Sequence, residues 1–150
     1  MKKKLAAIEA QRVVALLESK QWIIEAHTVF DRYGQSYNMN PTFNFIGVDI
    51  DKGAIQLSLG AVIGWNGVGG VTIDGEVHSY EVKEINGEKQ PSVNLRLRGR
   101  GTGSATINIT VNASYQARAQ ISGDFGDRIS FSGQLVPLGS SSVYKGQSLF

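Results

Sequence analysis

The chain reads as an all-β domain with one N-terminal helix, and three observations predict it. Its 150 residues suit one hydrophobic core, because a chain this long buries roughly two thirds of its unfolded surface and has no room for a second. Eighteen glycines stand against three prolines, with Val, Ile, Thr and Ser plentiful, a composition of strands joined by tight turns. The third observation is an unbroken apolar/polar alternation through four successive segments of the C-terminal half. The reading divides the chain into a helix over 1–20 that packs on the sheet, a β-meander over 21–138 and a tail over 139–150.

Residues 2–19 lack Gly and Pro and place Ala6, Ala10, Val13, Val14 and Leu17 on one face at helical spacing. The stripe is narrow and Ala-rich, which favours packing on its own sheet over docking on a membrane or partner. Lys2, Lys3 and Lys4 before Leu5-Ala6-Ala7-Ile8 look like the start of a secretion signal, but Glu9, Gln11 and Arg12 interrupt the apolar run. No stretch approaches the roughly 18 apolar residues of a transmembrane segment.

From Gln21 the period becomes two, with Trp22, Ile24, Ala26 and Phe30 on one face and Glu25, His27 and Asp31 on the other. Tyr33 to Pro41 is rich in turn residues and reads as a long connection. Phe43 and Phe45, then Ile46, Val48 and Ile50, are apolar on opposite parities, so a bulge near Gly47 is expected. Asp51-Lys52-Gly53 reads as a hairpin turn, followed by Ile55, Leu57 and Leu59 facing inward. A glycine-rich run, Gly60 to Gly70, precedes a strand with Val71, Ile73 and Val77 in phase, before Tyr80 and Val82 change parity.

Asn86-Gly87 is a strong hairpin signal. Beyond it, Val93/Leu95/Leu97, Ala105/Ile107/Ile109/Val111, Tyr115/Ala117/Ala119/Ile121 and Ile129/Phe131/Leu135 mark four half-buried strands. The links at 101–103, 112–114 and 123–127 are too short for crossovers, so neighbours pair antiparallel in an up-and-down meander. About eight such strands close into a lipocalin- or calycin-like barrel; the alternative is an open, curled sheet packed on the helix.

Four stretches carry a resemblance: Asn40-Pro41-Thr42-Phe43-Asn44-Phe45, Gly64-Trp65-Asn66-Gly67-Val68-Gly69-Gly70-Val71-Thr72, Ser132-Gly133-Gln134-Leu135-Val136-Pro137-Leu138 and Val143-Tyr144-Lys145-Gly146. Together they resemble the domain of unknown function family numbered 4251, common in Bacteroidales, over roughly residues 20 to 149. The resemblance implies a calycin-like β fold and a periplasmic or cell-envelope protein, often an exported lipoprotein. It implies no activity, so no functional residue carries over. Neither a signal nor a lipid-accepting cysteine stands in this chain.

Fifteen basic and 13 acidic side chains give a net charge of +2, too even to imply a polyanionic partner, and the lack of cysteine excludes disulfides, thiolate metal sites and a cysteine nucleophile. His27 and His78 are isolated and read as residues of polar strand faces, so no metal site is expected. Asp49, Asp51 and Asp74 lack the spaced oxygen ligands of a calcium loop and read as solvated turn acids. Gly64, Gly67, Gly69 and Gly70 are followed by a strand, where a dinucleotide fingerprint needs a helix. No cofactor is expected.

Trp65 in that loop is placed at a barrel mouth, capping the core or stacking on a ligand, and Trp22, Phe45, Tyr115 and Phe131 are the other aromatic candidates for a pocket or its mouth. Arg96, Arg98, Arg100 and Arg118 form a candidate surface basic patch; without interleaved aromatics it reads as a solvated sheet face, and nucleic acid is not an expected partner. Ala105, Ala117, Ala119, Gly99 and Gly133 leave a recess on the inward face, filled either by the helix face, the favoured reading, or by a small lipophilic molecule. The function expected is a non-enzymatic envelope module that binds a partner protein or glycan or serves structure. The alternative is a carrier of a small hydrophobic ligand in the barrel; an enzyme is the weakest reading, because no catalytic motif is present.

Overall fold

Alternating apolar and polar side chains can bury one face of a strand and wet the other, and where that alternation runs unbroken this chain forms long, regular strands. The structure, a computed structural model, describes residues 2–30, 34–38, 44–58, 70–83, 91–99, 103–123 and 128–140. In order these form α1 (Lys2–Ser19), β1 (Gln21–Phe30), β2 (Ser36–Asn38), β3 (Phe45–Asp49), β4 (Lys52–Ser58), β5 (Gly70–Lys83), β6 (Ser92–Gly99), β7 (Ser104–Val111), β8 (Gln116–Gly123), β9 (Ile129–Pro137) and a 3-10 turn (Leu138–Ser140). Each strand from β3 to β9 pairs antiparallel with the next, and β9 returns to β1 from Trp22↔Pro137 to Phe30↔Ser130. The sheet therefore closes into an eight-stranded barrel, and the open-sheet alternative is set aside. β2 is a ninth strand outside the barrel, pairing with Thr28–Phe30 beyond the point where β3 stops.

Four local expectations need correction. β1 does not keep one phase: the register shifts between Ala26 and Thr28, so His27 and Thr28 both face outward, Val29 joins the core and Phe30 turns out. β3 has no bulge at Gly47, since its pairing with β1 and β4 is continuous. Its apolar residues alternate because both faces are covered. Ile46 and Val48 point into the barrel, while Phe45 packs outside with Ile23, Ala54 and Leu138 of the 3-10 turn. The β3–β4 turn sits one residue early, at Ile50-Asp51, because Asp49 pairs with Lys52. The stretch read as a long connection contains β2, whose three residues are too few to show a period. The Asn86-Gly87 turn and the tail from residue 141 onward lie outside the described residues.

Inside the barrel the strands supply Ile, Leu, Val and Ala, and α1 adds Val13 and Leu17, both fully buried in the same cluster as Ala105, Ala117 and Ala119. The small inward residues and the helix face share one core. Each such Val or Leu removed from water contributes about 1.5–3 kcal/mol. The helix packs on β1 and β5, which are not neighbours, so it lies across one end of the barrel. Tyr80 of β5 ties this end together: its hydroxyl accepts from Trp22 Nε1 at 2.8 Å and donates to the Leu17 carbonyl. Burial pushes that hydroxyl up to about 12, with a smaller upward push from the Glu18 carboxylate and a downward one from the Trp22 bond. The helix stops at Lys20, which turns left-handed at φ 56° with its ammonium 5.2 Å from the Tyr80 ring centre.

Two seams divide the barrel into halves of four strands, β1-β3-β4-β5 and β6-β7-β8-β9. At each, a glycine lets two strands come closer than any Cβ would permit. A Cβ on Gly75 would stand 1.9 Å from the Arg98 carbonyl oxygen, and one on Gly133 would stand 2.1 Å from that of Glu25. At each seam there is also a bulge, at His78 on β5 and at His27 on β1. Bulges add local twist and bend, which is how a sheet turns the corners it needs to close.

Candidate functional site

The β9–β1 seam carries a groove of about 660 Å³ on the outside of the barrel, lined by residues of β1, β7, β8 and β9. Strand register builds its floor. Thr110, Arg118 and Ser132 lie opposite one another on β7, β8 and β9, with Thr28 of β1 completing the row. Gln116 and Gln134 form the row beside it, which Glu25 of β1 completes at the groove's edge. His27 enters from β1 because the bulge adds an outward residue at that point. No Asp or Glu is among the described lining residues.

The β7–β8 turn fixes one wall. Asn112 Oδ1 accepts from the backbone N–H groups of Ser114 at 2.8 Å and Gln116 at 3.0 Å. The other end of that amide must then donate, and Nδ2 does so to Gln116 Oε1 at 3.0 Å. Gln116 consequently presents its own NH2 group as a donor. Tyr115 takes a left-handed φ of 63° to make this turn, and its N–H bonds the Asn112 carbonyl at 3.0 Å. Arg118 is exposed, lies over the Phe30 ring at 5.7 Å, and pairs with no carboxylate among the described residues.

The residues singled out from sequence fall in different places. Trp22 and Phe131 are fully buried in the main core, Tyr115 packs partly buried against it, and Phe45 belongs to the separate outer cluster. Trp65 and Arg100 lie outside the described residues. Arg96 and Arg98 share the outer face of β6, with Arg96 beside a dimple of about 60 Å³ lined by Ser104, Thr106 and Ser122. Arg118 is not next to them: Arg96 pairs with Thr106 and Thr106 with Ser122, four residues past Arg118 on β8. That offset is about 13 Å along the strands and two strand spacings of about 4.8 Å across them. His27 and His78 are both exposed, on different seams. Asp49 accepts from the Gln21 side chain at 3.3 Å, and Asp74 is exposed on β5.

Sequence reasoning missed the groove, although a signal was present. Glu25-Ala26-His27-Thr28-Val29 and Glu76-Val77-His78-Ser79-Tyr80 repeat the same order of acid, apolar, histidine, hydroxyl, apolar, and each spans a bulge with two successive outward residues. The polar outward residues of β7 to β9 were visible one by one; what could not be seen was that β1 comes round to stand beside β9.

The crystal structure of a DUF4251 family protein from Bacteroides eggerthii is similar to this chain, with a TM-score of 0.82 at 31% sequence identity over 95% of this chain and 97% of that one. No curated protein matches the sequence. The model of the family described as Domain of unknown function (DUF4251) matches residues 4–135, and the chain belongs to that family.

Proposed function

We propose that this protein is a non-enzymatic binding module of the cell envelope that takes a polar ligand in the groove outside its barrel at the β9–β1 seam. The supporting observation is a contrast between the two sides of the same strands. Inward, β7 to β9 carry Ile107, Ile109, Ile121 and Phe131, packed with Val13 and Leu17 of the helix. Outward, they carry amides, hydroxyls and Arg118 around about 660 Å³, a volume typical of small-molecule sites. A lipophile carrier needs apolar walls around free space, and the small inward alanines that motivated that alternative are buried in the core shared with the helix.

Native mass spectrometry of the full chain with a panel of soluble oligosaccharides and a long-chain fatty acid tests this reading. The expected result is a saccharide adduct, weakened about thirtyfold by the double variant Gln116→Ala, Gln134→Ala, since each lost hydrogen bond removes about 1 kcal/mol. A fatty-acid adduct that survives in the double variant overturns it. The envelope location belongs to the same proposal, and cell fractionation that recovers the protein with the cytoplasm would remove it.

A further inference from the structure

We infer that the ligand of the outer groove is a carboxylate-bearing saccharide, a sugar of the uronic acid type, held through its carboxylate by Arg118. This deepens the reading above and rests on it.

The groove's charge gives the first argument. Arg118 is its one fixed cation among the described lining residues, and Glu25, the acid in strand register with the groove, stands opposite Gln134 on β1, two strands away from Arg118. The guanidinium lies over the Phe30 ring, 5.7 Å from its centre. A held guanidinium presents a planar fork of donors that fits a carboxylate through two parallel hydrogen bonds. One fixed charge also matches the single charge of a carboxylate better than the double charge of a phosphate monoester.

The remaining lining gives the second. The turn forces Gln116 to offer its NH2 group, because Asn112 Nδ2 already occupies Oε1. Thr110 and Ser132 supply hydroxyls on either side of Arg118, and Gln134 supplies a second amide. Closely spaced amides and hydroxyls around one cation suit a ligand with many hydroxyls and one oxyanion. A peptide added as an extra strand does not fit. The backbone of β8 is paired on both sides, with β7 and with β9, so no sheet edge is available here.

Isothermal titration of the full chain with oligogalacturonate, a neutral galactan of matched length and galactose 6-phosphate tests the inference, using Arg118→Gln and, as an exposed arginine outside the groove, Arg96→Gln. The expected result is oligogalacturonate binding at least about tenfold tighter than galactan, a preference lost in Arg118→Gln and kept in Arg96→Gln. Equal binding of galactan and oligogalacturonate, weakened by Gln116→Ala in both cases, overturns the carboxylate inference and leaves the polar groove standing. Tighter binding of galactose 6-phosphate replaces the carboxylate by a phosphate and overturns it too. Equal weakening by both arginine variants shows nonspecific charge attraction and overturns it. Absence of binding to all three probes overturns the inference, and the groove reading falls with it if the oligosaccharide panel also gives no adduct.

Discussion

The β5–β6 and β9–β1 seams are built alike and surrounded differently. Each has a glycine too close to a neighbouring carbonyl to bear a side chain, a bulge, and a histidine followed by a hydroxyl residue on the outer face. At the β5–β6 seam His78 Nε2 lies 4.0 Å from Glu76, Asp74 and Glu81 are exposed on the same strand, and the exposed Arg96 and Arg98 stand directly across from Ser79 and Glu76. At the β9–β1 seam Glu25 and His27 border a groove of about 660 Å³ that runs over β9 to Arg118 on β8. The shared parts serve closure of the barrel; what sets the β9–β1 seam apart is the groove beside it, with its rows of amides and hydroxyls. A repeated motif in this chain thus marks geometry, and the strand beside it decides whether that geometry is used.

If both seams serve closure, damage to either should cost the same. Gly75→Ala and Gly133→Ala should each destabilise by about 3 kcal/mol or more, since backbone must move in both. Gly139→Ala, with nothing within 4 Å of the new Cβ, should shift stability by less than about 0.5 kcal/mol. Thermal denaturation ranks the three, and a tolerated Gly133→Ala would show slack at the groove seam and break the likeness.

Tyr80, just past the β5 bulge, gives the next effect. Tyr80→Phe leaves the Trp22 N–H buried without its partner and should cost about 1–3 kcal/mol. The same hydroxyl sets an alkaline limit. Its folded value, about 12, lies above the ordinary 10.0, so the folded state holds the proton more tightly. This contribution is complete below pH 10.0 and is lost as pH rises from there through about 12. Denaturant melts at about pH 9 and about pH 11, on either side of that onset, should show a smaller alkaline loss in Tyr80→Phe than in the parent.

At the helix-closed end, Ile50 adopts φ 58° although it is β-branched and 57% exposed. Ile50→Gly should raise stability by about 1 kcal/mol, seen as a higher Tm, because the left-handed penalty disappears with little packing to lose. The smallest effect on folding separates the seams by function. His27→Ala and His78→Ala should each change stability by less than about 0.5 kcal/mol, while only His27→Ala weakens saccharide binding by titration.

The half made of β6 to β9 was legible because every inward residue from Val93 to Leu135 belongs to a strand with one wet face. In the other half the periodicity was read correctly for β5, where Tyr80 and Val82 change parity past the bulge, and wrongly for β1 and β3. In β1 the outward Phe30 is apolar because it underlies Arg118, and in β3 Phe45 is apolar because Leu138 covers it from the far end of the chain. Periodicity records burial, and burial on an outer face depends on a partner distant in sequence. The groove was hidden for the same reason, since its rows exist only once β1 lies beside β9.

The most direct test is nuclear magnetic resonance of the isotope-labelled full chain titrated with oligogalacturonate. The account predicts that the backbone amides of Gln116, Arg118 and Gln134 shift on the outer face while the methyl groups of Ile107, Ile109 and Ile121 inside the barrel stay still. Shifts of the interior methyls with unmoved groove amides would contradict it and place the ligand inside.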